Sequence, residues 1–233
     1  MKHFFSIIGG MGTLASTQFI VDMNRLYSPD EDQKYLNYIL YNYADVPDRT
    51  AYILDDSKDD PAPYLIEAVK AVESLGTEFV VIACNTAHYF IDEIKKETDV
   101  PILNMLDVTG DTLRQHDAER IGIMATRGTL DSKLYHQVIE GAGKTVVEPG
   151  ELLQDKIMSL IYDDVKENNR VDKEKFQAVL SEFKALGAEI IVLGCTELSF
   201  IHSHFEEELE GLIDAQQLTI LETIRRARST QQK

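Results

Sequence analysis

The sequence predicts an α/β protein made of two similar domains, each a parallel sheet flanked by helices. Short apolar runs rich in β-branched residues alternate with longer amphipathic segments, which is the pattern of parallel strands joined by helices. Two motifs also recur, in the same order, in the two halves of the chain. The alternation predicts the fold class, and the recurrence predicts two domains related by pseudo-two-fold symmetry.

Eight apolar runs are predicted to be strands, and two of the segments between them have clear helical spacing. The strands are residues 3–10, 35–42, 79–85, 101–106, 120–126, 145–149, 190–196 and 210–215. Segments 61–76 and 173–187 are predicted to be helices, and each closes on a glycine that suits a helix C-terminus.

The repeated motifs lie at nearly constant spacing. Residues 7–16 (IIGGMGTLAS) and 122–132 (GIMATRGTLDS) both contain G-T-L-x-S after an apolar run. Residues 75–86 (LGTEFVVIACNT) and 186–197 (LGAEIIVLGCTE) both contain L-G-x-E, an apolar strand and a cysteine. The two G-T-L motifs are 116 residues apart and the two cysteines 111, which predicts a duplicated α/β unit.

The duplication predicts where the domains divide and where a ligand binds. The first domain is expected to comprise residues 1–106 and 213–233, and the second residues 107–212. Asp214 is expected to end a strand of the first domain and to cap the last helix. Because ligands bind beyond the carboxyl ends of parallel strands, the active site is expected in the cleft between the domains.

The composition argues against several classes of partner. The 233 residues include 40 acidic and 23 basic side chains, a net charge of −17, so nucleic acid is not an expected partner. No apolar stretch approaches the roughly 18 to 20 residues of a membrane span, and the N-terminal run leads into a glycine-rich loop rather than a cleavage site. Two cysteines without metal-type spacing then predict free thiols in the cytoplasm.

Cys84 and Cys195 each stand at the end of a predicted buried strand. Free backbone N–H groups and the positive end of a following helix favour the thiolate at such a position. If the two halves face each other, one thiol approaches the cleft from each side. One thiolate could then remove a proton from a carbon acid while the opposite thiol returns one, inverting the centre. The alternative is that each cysteine is a small buried hydrophobe.

Five motifs, in order, carry a resemblance to a known family. They are "GGMGTLAS" (9–16), "VPDRT" (46–50), "ACNTAH" (83–88), "ATRGTLDSKLY" (125–135) and "LGCTELS" (193–199). Together they resemble the aspartate/glutamate racemases, over essentially the whole chain. The resemblance implies an amino-acid racemase that uses no pyridoxal phosphate or other cofactor, with two α/β domains, an active site between them and a homodimeric assembly.

The resemblance also implies roles for individual residues. Cys84 and Cys195 would be the catalytic acid/base thiols, and Arg49 would bind a substrate carboxylate through its two-pronged guanidinium. Lys166 would be a second carboxylate partner, by a looser match. The other implied substrate-binding residues are Met11, Asn85, Thr86, Thr126, Thr196 and Glu197, the last two supporting the second cysteine.

Alternatives remain for several of these side chains. Arg49 could pair with Asp45 or Asp48, and Lys166 could belong to a surface ion pair with Asp163, Asp164 or Glu167. His88 either tunes the Cys84 thiolate or is a hydrogen-bonded structural histidine. His202 and His204 resemble a metal pair, but no third ligand is evident and no metal is predicted.

Two departures from the family pattern bear on the substrate. Thr13 stands where the family's first loop commonly has proline, and the loop lacks the acidic residue that glutamate racemases place there. The second departure favours aspartate over glutamate. The alternative functions are a dicarboxylate isomerase or decarboxylase of the same superfamily, and an amino-acid-binding protein without turnover.

Overall fold

Two four-stranded parallel sheets form the centre of the molecule. The structure is a computed structural model that describes residues 3–206 and 209–231. Its first sheet contains β1 (Phe5–Gly9), β2 (Tyr38–Asn42), β3 (Val80–Ile82) and β4 (Ile102–Leu103). Its second sheet contains β5 (Arg120–Met124), β6 (Thr145–Val147), β7 (Ile190–Leu193) and β8 (Leu212–Asp214).

The two sheets have the same topology. Their strand orders are β2-β1-β3-β4 and β6-β5-β7-β8, and all neighbouring strands are parallel. Each of the eight predicted runs contains one of these strands, although each strand is shorter than its run. The predicted fold class is therefore confirmed, and the shared strand order is what a duplicated unit produces.

Helices cover the faces of both sheets. They are α1 (Thr13–Leu26), α2 (Arg49–Leu54), α3 (Ala62–Glu73), α4 (Ile91–Lys96), α5 (Met105–Gln115), α6 (Arg127–Asp131), α7 (Leu134–Gly141), α8 (Glu151–Ser159), α9 (Lys173–Ala185), α10 (Thr196–His202) and α11 (Ala215–Gln231). Short 3₁₀ turns span residues 32–34 and 86–90, and a π-helical segment spans 160–167.

The two helices predicted from periodicity are confirmed as α3 and α9. Each buries an apolar face, and the chain turns just beyond each of them at a glycine in the left-handed region. Gly76 has φ 82° and Gly187 has φ 87°, a conformation that a residue with a Cβ adopts only with strain.

Asp214 corrects one prediction and confirms another. It pairs with Leu193 of β7, so it ends a strand of the second sheet and the prediction of a first-domain strand is wrong. Strand periodicity indicates that a segment is extended but carries no information about which sheet it joins. The Asp214 carboxylate accepts hydrogen bonds from the backbone N–H groups of Gln216 at 3.0 Å and Gln217 at 3.1 Å, as predicted for a helix cap. The remainder of the predicted domain division stays a prediction.

The last helix joins the two halves. Ile220 and Ala227 of α11 pack into the cluster beneath the first sheet, whereas Ala215 packs into the cluster beneath the second. This packing ties the C-terminal helix to both sheets. Among the described residues, no helix is long and apolar enough to cross a membrane.

Candidate active site

The two cysteines occupy equivalent positions in the two sheets. Cys84 comes two residues after β3, and Cys195 comes two residues after β7, the corresponding strand of the second sheet. Both thiols are free, and the two residues are 6% and 4% exposed. Carboxyl ends of parallel strands meet at one sheet edge, so the two edges bring the cysteines to a common cleft.

Both cysteines line one enclosed cavity between the halves, named here the inner cavity. Its volume is about 10 Å³, which is about enough for one water molecule. The other residues that line it are Met11, Asp48, Arg49, Thr50, Asn85, Thr86, Thr126, Tyr162, Lys166, Thr196 and Glu197. All ten predicted site residues therefore meet at this cavity.

Cys195 is hydrogen-bonded to a buried carboxylate. Its thiol donates to Glu197 Oε2 at 2.9 Å, and the Thr196 hydroxyl donates to the same oxygen at 3.2 Å. Burial, and then the negative charge of Glu197, raise the pKa of the Cys195 thiol well above its usual value. Cys195 therefore holds its proton in this arrangement.

Lys166 faces the other oxygen of the same carboxylate. Its Nζ is 3.7 Å from Glu197 Oε1 and 4.0 Å from Asp48 Oδ2. Burial is the largest single influence and works to lower the pKa of Lys166, but Glu197, Tyr162 and Cys195 together outweigh it and the pKa is raised. The ammonium stays charged beside the cavity, and the alternative of a pair with its acidic sequence neighbours is wrong.

Tyr162 adds a contact between the halves. Its ring lies 4.7 Å from Lys166 Nζ, and its hydroxyl donates to Asp48 Oδ2 at 3.1 Å. Asp48 also caps α2 by accepting from the Ala51 N–H at 2.8 Å. The π-helical segment is thereby connected to the start of α2, where Arg49 stands.

Arg49 is buried, at 6% exposed, and is held by backbone carbonyls. Its guanidinium donates to the carbonyls of Met11 at 2.5 Å, Pro47 at 2.9 Å and Val46 at 3.2 Å. These are its bonds within the described part of the chain, so pairing with Asp45 or Asp48 is wrong. The carbonyl bonds leave the positive charge of Arg49 available to a ligand.

His88 supports the backbone after Cys84. The backbone N–H of Met105 donates to His88 Nε2 at 3.2 Å, so Nδ1 carries the proton and donates to the Cys84 carbonyl at 2.9 Å. Burial lowers the pKa of His88, which keeps the ring neutral. The contact is with the carbonyl rather than the thiol, as expected of a structural histidine.

Three threonine hydroxyls join the halves at the inner cavity, which Thr86 and Thr126 line. Thr86 lies 2.9 Å from Thr129 and 3.3 Å from Thr126, and the last two are 3.1 Å apart. Next to them, the Asn85 side-chain carbonyl accepts a hydrogen bond from the Tyr135 hydroxyl. These bonds fix the Asn85 amide at the cavity wall.

Three of the seven buried side-chain polar atoms that lack a hydrogen-bond partner in the described part of the chain lie on residues of the inner cavity. They are Arg49 Nε, Asn85 Nδ2 and Glu197 Oε1. Buried polar groups are nearly always paired, so these two donors and one acceptor indicate a ligand with both acceptor and donor groups. An amino acid has both.

Several residues of the site were not singled out from the sequence. Thr129 and Tyr135 lie inside the 125–135 motif, and Asp48 and Thr50 flank Arg49. Tyr162 precedes Lys166 by four residues, so a helical reading of that segment would have put both on one face. This spacing is a signal that could have identified Tyr162. The contacts that Tyr135 and Tyr162 make at the site are with the other half of the chain, which sequence spacing does not reveal.

The two candidate metal ligands belong to structural contacts. His202 Nδ1 is 3.0 Å from Asp214 Oδ2, and His204 Nδ1 donates to the Phe200 carbonyl at 2.8 Å. Within residues 3–206 and 209–231, no group of three or more histidine, cysteine or acidic side chains is arranged to hold a metal.

The sequence is similar to those of known amino-acid racemases. The chain is 27% identical over 214 residues to the broad specificity amino-acid racemase RacX of Bacillus subtilis, covering 87% of this chain and 89% of RacX. It is 27% identical over 167 residues to the glutamate racemase of Aquifex aeolicus, covering 70% of this chain and 64% of that enzyme.

Solved structures are similar to this chain as well. The aspartate racemase of Picrophilus torridus superposes with a TM-score of 0.84 at 27% identity, over 98% of this chain and 95% of that one. The model of the Asp/Glu/Hydantoin racemase family matches residues 8–223, and the predicted resemblance is thereby confirmed. The chain belongs to the Asp/Glu/hydantoin racemase family and is an isomerase.

Proposed function

We propose that the protein racemises an acidic amino acid without a cofactor, with aspartate preferred and Cys84 and Cys195 as the two acid/base groups. The observation that supports this is that two thiols from equivalent strand ends line one cavity. A guanidinium and an ammonium, from Arg49 and Lys166, border the same cavity.

The reaction requires proton transfer on both faces of the α-carbon. The Cys84 thiolate removes the α-proton from one face, and the Cys195 thiol gives its proton to the other. The product then has inverted configuration, with the proton now on Cys84 and the negative charge on Cys195. The opposite enantiomer is processed with the two roles exchanged. The proton held on Cys195 by burial and by Glu197 suits it to act first as the acid.

The difficult step is ionisation of a weak carbon acid, so the site must stabilise negative charge that spreads into the α-carboxylate. The unpartnered Asn85 amide N–H, the Arg49 guanidinium and the threonine hydroxyls can donate to carboxylate oxygens. Glu197 Oε1 can accept from the substrate ammonium. Such prearranged groups lower the barrier because they need no reorganisation during the reaction.

The preference for aspartate rests on two observations. The first loop lacks an acidic residue, and the chain is similar to an aspartate racemase over nearly its full length. The similarity to RacX, named a broad specificity racemase, makes a wider panel of amino acids part of the test.

Isotope exchange tests the two-thiol mechanism. In deuterated water the enzyme should convert L-aspartate to D-aspartate and incorporate deuterium at the α-carbon, as followed by chiral chromatography and mass spectrometry. Cys84→Ala and Cys195→Ala should each abolish interconversion. If either variant racemises at the wild-type rate, the two-thiol mechanism is wrong.

The same experiment separates the alternative functions. Loss of carbon dioxide or positional isomerisation of a dicarboxylate would favour the superfamily's other reactions. Thermal stabilisation by aspartate without exchange or conversion would instead indicate a binding protein.

We also propose that the enzyme is a homodimer, as the family resemblance implies, and that it lies in the cytoplasm, as the two free cysteines indicate. Analytical ultracentrifugation should give a species of twice the 26.4 kDa chain mass. A single species at the monomer mass across micromolar concentrations would contradict the dimer.

A further inference from the structure

One side chain, Tyr135, contacts the segments of both cysteines. It belongs to α7 in the second half and is fully buried in the cluster beneath the second sheet. Its ring passes Gly194, the residue before Cys195, so closely that a Cβ on this glycine would lie 2.8 Å from the ring. Its hydroxyl donates to the side-chain carbonyl of Asn85, the residue after Cys84. Tyr135 therefore connects the two chain segments that follow β3 and β7.

The hydrogen bond from Tyr135 decides which end of the Asn85 amide is free. An asparagine amide has a donor end and an acceptor end of nearly the same shape, and a half turn about χ2 exchanges them. Because the tyrosine hydroxyl occupies Oδ1, the amide is held with its NH2 group as the free end. Within the described residues Nδ2 has no partner, although Asn85 is only 1% exposed. Asn85 is thereby kept as a donor at the inner cavity, which it lines.

The two partners of this hydrogen bond belong to different halves of the molecule. Asn85 follows β3 of the first sheet, whereas the ring of Tyr135 is packed among residues of the second half. Burial also raises the pKa of the Tyr135 hydroxyl, so it keeps its proton and remains a donor. The bond exists only while the halves are together, and the Asn85 amide is therefore held in the closed arrangement.

We propose that Tyr135 is a positioning residue of the racemase, whose hydroxyl holds the Asn85 amide with its NH2 group toward the substrate α-carboxylate. The inference rests on the proposed racemase function. Asn85 lines the same cavity as both cysteines, and the α-carboxylate is the acceptor attached to the carbon that reacts between them. Without the hydroxyl, the amide is free to turn its carbonyl oxygen toward the carboxylate. The negative charge that spreads into this carboxylate during ionisation then loses a prearranged donor.

Tyr135→Phe removes the hydroxyl and keeps the ring beside Gly194. We expect kcat/KM to fall about tenfold to a hundredfold for the amino acid that wild type racemises fastest, as loss of a hydrogen bond to a charged group does. Tyr38→Phe is the matched control. The Tyr38 hydroxyl also bonds to an asparagine amide, accepting from Asn24 Nδ2 at 3.2 Å, but neither residue lines the inner cavity. This control should turn over like wild type.

A double-mutant cycle separates positioning from a purely structural role. Asn85→Ala removes the amide, so Tyr135→Phe should cause no further loss of kcat/KM in the Asn85→Ala background. A structural contribution of the Tyr135 hydroxyl would instead lower kcat/KM by the same factor in both backgrounds. That result, or wild-type kcat/KM in Tyr135→Phe, would overturn the proposal while leaving the racemase function intact.

Calorimetry of aspartate binding by the same four proteins decides if turnover is too slow to measure. Tyr135→Phe should weaken binding about tenfold where Asn85 is present and leave it unchanged in the Asn85→Ala background. Equal weakening in both backgrounds, or none in either, would refute the role of Tyr135 alone. If the wild-type protein neither racemises nor binds any amino acid of the panel, the positioning role is wrong together with the proposed function.

Discussion

At the scale of single residues, the two halves differ two positions after each cysteine. The second half has Glu197 there, whose carboxylate accepts from the Cys195 thiol. The first half has Thr86, whose hydroxyl is 2.9 Å from Thr129. The duplicated framework therefore gives its two thiols different neighbours, and only a carboxylate neighbour holds a thiol proton electrostatically.

Glu197→Gln should shift the titration of Cys195 toward lower pH. Its charge is one of the causes that raise the pKa of the Cys195 thiol, and glutamine removes the charge while keeping an acceptor. We expect thiolate absorbance to develop at lower pH in a Cys84→Ala background. In the enzyme with both cysteines, we expect racemisation to fall about a hundredfold.

Glu182→Gln is the matched control, because Glu182 pairs with Lys156 on the surface. This variant should titrate and turn over like wild type. An unshifted thiol titration in Glu197→Gln would contradict the role given to Glu197.

At the scale of elements, the repeated G-T-L motif contacts the opposite half of the molecule twice. A Cβ on Gly12 would collide with Glu197 Oε1, and a Cβ on Gly128 would lie 2.9 Å from the Thr50 Cα. Each glycine thus permits close approach of the other half at the active site.

Gly12→Ala should impair catalysis and lower stability. The added methyl displaces Glu197, so we expect a large fall in kcat and a loss of about 1–3 kcal/mol in the free energy of unfolding. Gly141→Ala is the control, because a Cβ there meets no atom within 4 Å. Wild-type kcat in Gly12→Ala would show that Glu197 does not need its present position.

The π-helical segment that carries Tyr162 and Lys166 is held by an ion cluster around one buried carboxylate. Asp164 is 2% exposed and accepts from Lys175 Nζ at 2.9 Å and from Arg170 Nε at 3.0 Å. Burial works to raise the pKa of Asp164, but these two partners lower it overall. The cluster thereby stabilises the segment only while the carboxylate is charged.

Asp164→Asn should lower stability at neutral pH but not in acid. Because the folded-state pKa is lowered, the carboxylate contributes stability above its unfolded pKa of about 3.9, and this contribution is lost as the pH falls through the folded value. Urea unfolding is measured from neutral pH down to pH values well below about 4. The free energies of unfolding of wild type and Asp164→Asn should converge as the pH falls. A constant difference across this range would exclude the ion cluster as the cause.

At the scale of the whole molecule, the two halves are closed over the site. The inner cavity is too small for an amino acid, so substrate entry requires the halves or the connecting side chains to separate. The contact of Tyr162 with Asp48 crosses this boundary, beside Lys166. Burial raises the pKa of Tyr162 to about 12, so its hydroxyl remains a donor at neutral pH.

Tyr162→Phe should favour the open arrangement. It removes one interdomain hydrogen bond, worth about 1 kcal/mol, and keeps the ring beside Lys166. We expect a lower kcat and a larger radius of gyration by small-angle scattering without substrate. Tyr64→Phe, at a partly buried tyrosine of the first half, is the control, and a wild-type radius and kcat in Tyr162→Phe would argue against a closing role.

Local patterns in the sequence determined the eight strands, the two most regular helices, the duplication and the pair of cysteines, because periodicity and turn residues act over a few neighbours. The tertiary structure decided which sheet Asp214 joins, which partners Arg49 and Lys166 have, and why Gly12 has no side chain. These depend on contacts between residues that are far apart in the sequence, such as Arg49 with Met11, Lys166 with Asp48 and Gly12 with Glu197. Local periodicity cannot encode that packing, since it arises only when the two sheets and α11 assemble.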